Sequence, residues 1–185
     1  MRAFIAIELP DSVKKGIAAL QERLRKSGVA AAWTKPENFH LTLRFLGDVD
    51  EERIASLRDF LREHYGQCGA LQLCFQGAGA FPDLRRPNVL WAGLRVLEGD
   101  LVPIQAVAEA GAVYVGLARE GKAFLPHVTL ARLRDRRRFG DCREALARCA
   151  ALGGDAFPVR AVALFSSQLD AAGAIHRRIE EFPFT

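Results

Sequence analysis

The chain has 185 residues, of which 50% are hydrophobic and 26% are charged, enough to bury the core of one compact domain. Its longest apolar runs are well short of the ~20 residues of a membrane span, and its N-terminal apolar run lacks the cleavage pattern of a secretion signal. We therefore expect a cytoplasmic protein that does not enter a membrane and that folds as a single domain over residues 1–185. We also expect a monomer.

Basic residues outnumber acidic ones by 26 to 22, which gives a net charge of +4. Only 5 of the basic residues are lysines, and arginine suits the two-point recognition of phosphate. The arginine excess is compatible with a nucleic-acid partner and equally with ordinary solvated surfaces. Because the four cysteines form no CxxC pair and have no partnering histidines at metal-ligand spacing, we expect interior thiols and no zinc. The cysteines are Cys68, Cys74, Cys142 and Cys149. We also expect no cofactor.

Strand and helix patterns alternate along the first half of the chain. Apolar residues recur at helical spacing over 11–27 and again from Glu51 onward. Strand patterns lie at 2–9, 39–46, 71–81 and 88–95. The segment PDLRRP, 82–87, predicts a loop before the last of these strands.

The second half repeats this order. Helical spacing occurs over about 100–117 and over 141–152, and strand patterns lie at 126–133, 157–167 and about 174–182. The shift of 87 residues that separates His40 from His127 superposes strands on strands and helices on helices. We therefore predict a duplicated, two-lobed α+β fold. Each half would form an antiparallel sheet with helices outside, and the two sheets would flank a central cleft.

Two histidines begin matching tetrapeptides, HLTL from His40 and HVTL from His127. With four histidines and four threonines in the chain, about 0.1 HxT triplets are expected by chance. Alternation in a strand places Thr42 on the face of His40, and Thr129 on the face of His127. An imidazole that transfers protons near neutral pH, beside a hydroxyl that donates to a phosphate oxygen, suits phosphoryl chemistry. We predict that the two pairs face each other and hold one phosphate, with the histidines as catalytic acid and base in either order.

Paired HxT motifs in two related halves resemble the 2H phosphoesterases. The sequence is similar to their bacterial and archaeal LigT branch, called 2′-5′ RNA ligase or RNA 2′,3′-cyclic phosphodiesterase. The similar segments cover nearly the whole chain: RAFIAIELP, WTKPENFHLTLRFLGDV, RPNVLWAGL, FLPHVTLARLR and LFSSQLDAAGAIHRRIEEFPF. The chain departs from this branch at His176, where a tyrosine is frequent, and a contact at the rim of the cleft is therefore in question there.

The resemblance implies the LigT-like fold and a metal-independent hydrolysis of terminal 2′,3′-cyclic phosphate on RNA, tRNA fragments included, to a 2′-phosphate. It also implies weak, reversible 2′-5′ joining of RNA ends. Within this reaction Thr42 and Thr129 would bind the non-bridging phosphate oxygens. The resemblance further implies that Arg132 contacts the substrate.

Phe45 and Arg132 each lie five positions after their histidine. Strict alternation would turn both away from the histidine face, so a bulge or a twisted strand end is required for either to reach the cleft. Phe45 would then stack on a base, or else it packs in the core. The arginines between 134 and 138 would guide an RNA backbone or form a solvated loop. We predict that Trp33 and Trp91 are core residues.

Two other functions remain open. A phosphodiesterase for small cyclic nucleotides or cyclic ADP-ribose phosphates would use the same histidines. A non-catalytic module that binds RNA or nucleotides would not need a proton-transfer pair. Nucleophilic serine chemistry and a phosphate-binding P-loop are disfavoured, because the chain has neither a GxSxG elbow nor a Gly-rich loop followed by GK[ST].

Overall fold

The computed structural model describes residues 1–133, 140–170 and 173–185. Nine strands alternate with four α-helices over this part of the chain. The strands are β1 Arg2–Glu8, β2 Ala31–Trp33, β3 His40–Asp48, β4 Leu71–Phe81, β5 Val89–Glu98, β6 His127–Leu133, β7 Phe157–Val159, β8 Ala161–Asp170 and β9 Gly173–Pro183. The helices are α1 Asp11–Arg25, α2 Glu51–Tyr65, α3 Val102–Tyr114 and α4 Gly140–Cys149, and a short 3₁₀ turn covers Pro36–Asn38. These elements confirm the α+β class.

Two antiparallel sheets form the framework, with strand orders β3-β1-β8-β9 and β2-β6-β5-β4-β7. The predicted pair of sheets is confirmed, but the prediction that each half of the chain makes its own sheet is wrong. The β4–β5 hairpin of the first half pairs with β6 and β7 of the second, and the β8–β9 hairpin of the second half pairs with β1. The repeated units therefore exchange hairpins. Periodicity alone does not reveal this exchange, because it indicates which residues share one face of a strand and not which strands pair.

The helices pack on the sheets through the faces that their spacing predicts. In α1 the buried residues include Val13, Ile17, Leu20 and Leu24. Helix α2 begins at a side-chain cap, where a carboxylate oxygen of Asp50 accepts the backbone N–H of Arg53 at 2.8 Å. One continuous cluster of buried residues combines these helices with strands of both sheets. In the part of the chain that the structure covers, no helix is both long enough and apolar enough to cross a membrane.

The cysteine and Trp33 predictions agree with this core. Cys68, Cys74 and Cys149 are buried and carry free thiols. The Cys142 side chain lies outside the described residues. Trp33 is partly buried and packs against the core cluster.

Candidate active site

The two HxT motifs lie on neighbouring strands of different sheets. In β3, Leu41 is fully buried whereas His40 and Thr42 are half-buried, and in β6 His127 and Thr129 are half-buried in the same alternation. Cα atoms of β3 and β6 approach within 8 Å of one another. The structure therefore turns both histidine–threonine pairs away from the core and brings their strands together.

Each histidine is held in the same way by its own backbone. Nδ1 of His40 lies 2.7 Å from the carbonyl oxygen of Asn38, and Nδ1 of His127 lies 2.7 Å from the carbonyl oxygen of Leu125. A carbonyl oxygen only accepts hydrogen bonds, so each Nδ1 must carry a proton. In the neutral ring the lone pair is then on Nε2, which leaves Nε2 as the atom that can take up or deliver a proton.

Burial controls the charge of His40. It lowers the pKa of His40 from 6.5 to about 4, although the hydrogen bond to Asn38 opposes the shift. Positive charges on His176, Lys14 and His127 lower this pKa further. His40 is therefore neutral at physiological pH, and a proton on His127 makes protonation of His40 less favourable.

Burial likewise lowers the pKa of His127, again against a hydrogen bond to a backbone carbonyl, here of Leu125. The guanidinium of Arg132 lowers this pKa further. A phosphate anion placed between the rings would raise both pKa values, because an opposite charge favours the imidazolium form. The site can thus acquire a proton when it binds an anion.

Bulges in both motif strands bring the next side chains onto the histidine face. In the pairing of β1 with β3, Ala6 lies opposite Thr42 and Ile5 opposite Arg44, so one residue of β3 is extra. Beyond this bulge Phe45 lies opposite Phe4, on the face of His40. The bulge that we predicted as necessary for Phe45 to reach the histidine face is therefore confirmed.

The second bulge reproduces the first. Trp91 of β5 lies opposite Thr129, Leu90 lies opposite Ala131, and Arg132 follows opposite Val89. Arg132 consequently shares the face of Thr129 and is exposed. Residues at 134–139, which include the predicted arginine cluster, lie outside the described residues.

Phe45 is exposed rather than buried, and therefore the core-packing alternative for Phe45 is wrong. The Phe45 side chain is 44% exposed. The guanidinium carbon of Arg2 lies 4.8 Å from the ring centroid. An exposed ring covered on one side by a guanidinium is a surface on which a base can stack.

Trp91 lies beside the candidate site and not in the core, so the prediction that it is a core residue is wrong. Its ring centroid lies 6.4 Å from that of His127, and it faces the cleft because it is paired with Thr129. Gly79 makes this placement possible, since a Cβ atom there would come within 2.3 Å of the indole. Phe81 completes this wall with its ring perpendicular to His127 at a centroid distance of 4.8 Å.

The wall beside His40 was not predicted either. Phe4 stacks on His40 with ring centroids 4.7 Å apart, and Phe165 lies 5.2 Å from Phe4 and 6.4 Å from His40. His176 stands perpendicular to His40 at 5.4 Å. Among the described residues, no three histidine, cysteine or carboxylate side chains converge as a set of metal ligands.

Two antiparallel sheets that each present an HxT pair at a shared cleft define the class of the protein, a phosphoesterase with the two-histidine fold. The sequence profile described as LigT like Phosphoesterase matches residues 7–91. An RNA 2′,3′-cyclic phosphodiesterase of Aquifex aeolicus is 31% identical over 188 residues, which cover 98% of this chain and 96% of the relative. The chain belongs to the LigT-like phosphoesterase family.

Solved structures agree with this assignment. A Thermus thermophilus protein of known crystal structure superposes with a TM-score of 0.80 at 25% identity, covering 99% of this chain and 97% of the other. Escherichia coli LigT, crystallised with 3′-AMP, superposes with a TM-score of 0.78 at 22% identity, covering 100% and 98%. The second comparison supports the fold alone.

Proposed function

We propose that this phosphoesterase hydrolyses 2′,3′-cyclic phosphate at RNA ends to a 2′-phosphate, with His40 and His127 as the acid/base pair. The matched pair of imidazoles carries the proposal, because each ring is fixed at Nδ1 by a backbone carbonyl and keeps Nε2 for proton transfer. The substrate class is supported by relatives from Aquifex aeolicus and Archaeoglobus fulgidus, 31% and 32% identical, both named RNA 2′,3′-cyclic phosphodiesterase.

The reaction needs one neutral and one protonated imidazole. Nε2 of the neutral ring takes a proton from water as the water oxygen attacks phosphorus. The bond between phosphorus and the 3′ oxygen breaks, and the imidazolium on the opposite side gives its proton to that oxygen. The products are a free 3′-hydroxyl and a 2′-phosphate. A 5′-hydroxyl in place of water would give the reversible 2′-5′ joining, again with no change in the two roles.

Side chains around the histidines supply binding and charge stabilisation. Thr42 and Thr129 lie on the histidine faces, where their hydroxyls would donate to the non-bridging oxygens. Arg132 follows on the same face of β6 and would pair with the phosphate. Phe45 would stack on a base of the RNA. The two hydroxyls and the guanidinium would stabilise the developing charge, and we propose that no metal ion takes part.

Product analysis on an oligoribonucleotide with a 2′,3′-cyclic phosphate end tests the proposal. Mass spectrometry shows uptake of water, and ³¹P NMR distinguishes a 2′-phosphate from a 3′-phosphate. His40→Ala and His127→Ala should each lose a factor of about 10²–10⁴ in rate. His64→Ala is the matched control, because its ring stacks on Phe60 of α2 and takes no part in the cleft.

Several results would count against the proposal. Rates like those of the unmodified protein in either cleft variant would remove the acid/base assignment. A strong preference for free cyclic mononucleotides would favour the small-nucleotide alternative. Loss of activity in EDTA, restored by a divalent ion, would refute the metal-independent mechanism.

A further inference from the structure

The cleft face of the second sheet continues from β6 across β5 to β4. Gly93 lies opposite His127 and Trp91 opposite Thr129 in the β5–β6 pairing, and Gly79 lies opposite Trp91 in the β4–β5 pairing. Directly opposite residues of antiparallel strands share a face, and two strand spacings amount to about 10 Å. The indole of Trp91 lies over Gly79, where a Cβ atom would come within 2.3 Å of it. Trp91 therefore extends from the catalytic motif to β4.

A groove of about 730 Å³ lies where this face meets α4 and the loop at 82–87. Residues 78–80 of β4 and the side chain of Trp91 line it, together with apolar residues of α4. The ring of Trp91 is also 6.4 Å from that of His127, so the groove is continuous with the candidate active site. Its volume is within the range of pockets that hold small organic ligands. The α4 residues that line it are Leu146, Ala147 and Ala150.

Two arginines place positive charge in the groove. Arg85 from the loop and Arg143 from α4 both line it, and both are exposed. Nη2 of Arg143 donates to the carbonyl oxygen of Leu84 at 2.9 Å, which holds this guanidinium between the helix and the loop. Within the described residues, neither arginine forms an ion pair. Both guanidinium groups can therefore bind an anion.

The carboxylate that lines the same groove, that of Asp83, is engaged by its own loop. Its Oδ1 atom accepts the backbone N–H groups of Arg85 at 2.6 Å and of Arg86 at 2.9 Å. These hydrogen bonds lower the pKa of Asp83, because they favour the ionised form. Asp83 thus shapes the turn that presents Arg85, and two guanidinium groups oppose one carboxylate in the groove.

The indole of Trp91 contributes a hydrogen-bond donor without an acceptor. Its Nε1 atom is buried, and none of the described residues accepts a hydrogen bond from it. The ring edge next to Nε1 lies on the side of the groove, because a Cβ atom on Gly79 would be 2.8 Å from Cε2. Buried donors in folded proteins almost always have an acceptor. The unpaired N–H therefore points to a bound group as its partner.

On the basis of the function proposed above, we propose that this groove binds the nucleotide that precedes the cyclic phosphate end of the RNA. The base of this nucleotide packs beside Trp91. The phosphodiester that joins it to the terminal nucleotide pairs with Arg143 and Arg85. An oxygen of the same sugar–phosphate backbone accepts the indole N–H. The groove thus favours an RNA end over a free cyclic mononucleotide.

The test compares two substrates that share the reacting group. One is adenosine 2′,3′-cyclic phosphate, and the other is the dinucleotide adenylyl-adenosine with the same cyclic end. Arg143→Met should lower kcat/KM for the dinucleotide by about tenfold, because a charged hydrogen bond to its phosphodiester is lost, and should leave kcat/KM for the mononucleotide unchanged. Arg148→Met is the matched control, because Arg148 lies on the same helix but pairs with Glu144 at 2.9 Å and does not line the groove.

A change in the substrate tests the same contact without altering the protein. A methylphosphonate linkage between the two nucleosides removes the negative charge of the phosphodiester and keeps the length of the dinucleotide. The unmodified protein should lose about tenfold in kcat/KM on this substrate, and Arg143→Met should lose nothing further. Arg85→Met serves as a second variant should Arg143→Met fail to fold, because Arg143 also holds the loop through Leu84.

The outcomes separate this inference from the proposed function. Equal losses on both substrates in a folded variant, or an undiminished kcat/KM for the dinucleotide, would overturn the inference. The same holds if the unmodified protein does not distinguish the methylphosphonate from the phosphodiester. If the unmodified protein hydrolyses neither the mononucleotide nor the dinucleotide, the proposed function itself fails.

Discussion

Acid should destabilise this protein through His40, and replacing His40 by Asn should remove that effect. The folded-state pKa is about 4, against 6.5 for the free side chain, so the unfolded chain binds a proton more readily than the folded one. As the pH falls from 6.5 towards 4, stability is therefore lost. Between pH 7 and about pH 4.5 the loss from this one side chain amounts to about 2.5 kcal/mol. Asn keeps an N–H donor near the position of Nδ1.

Urea unfolding at both pH values measures this contribution. The change in unfolding free energy between the two pH values is determined for the unmodified protein and for His40→Asn, and the two changes are subtracted. Other groups that titrate in this range, such as His127, contribute to both proteins and largely cancel. The unmodified protein should lose about 2.5 kcal/mol more than the variant. Equal losses would mean that His40 is not enclosed as described and that its pKa is not lowered in the folded protein.

Three further variants probe the parts that support the cleft. Arg44→Met should lower the free energy of unfolding in urea by about 3 kcal/mol, because Arg44 and Glu109 form an ion pair at 2.9 Å with side chains only 10% and 16% exposed. Adding Glu109→Gln should recover part of this loss, and no recovery would contradict the pairing. Gly79→Ala should destabilise the folded protein by about 1–3 kcal/mol and alter the near-UV circular dichroism of Trp91, because the new Cβ would lie 2.3 Å from the indole. An unchanged spectrum would contradict this packing. Thr129→Val should lower kcat by about 10²–10³ without loss of stability, and an unaffected kcat would remove the hydroxyl from the reaction.

The sequence predicts those features of the site that depend on local alternation. His40 and Thr42 share a face because a strand has a period of two, and the same holds for the pair at His127. The position of Phe45 required a bulge, and the bulge is present. These inferences needed only the order of residues within one strand.

Features that depend on partners between distant strands were not predictable in this way. The position of Phe4 beside His40 could not be predicted, because every residue from Ala3 to Ile7 is buried. The alternation of residue types in β1 therefore does not distinguish the cleft face from the core face. His176 reaches His40 through the hairpin exchange, which no periodicity reports. Trp91 was misassigned since its large apolar ring suits a core as well as it suits a wall beside His127. The glycine that makes room for this indole, Gly79, lies on another strand.

A duplicated fold offers the same group twice, yet the proposed hydrolysis requires one copy to be neutral and the other protonated. Identical hydrogen bonds at Nδ1 provide the shared geometry, because the proposed reaction needs Nε2 of both rings beside one phosphate. The difference must then arise from the surroundings. His40 has a second imidazole at 5.4 Å, whereas His127 has the uncharged ring of Phe81. A bound phosphate would raise the pKa of both rings, because an opposite charge favours the imidazolium form. The contact between His40 and His176 is one that the internal repeat does not duplicate, so the repeat alone does not make the two rings equivalent.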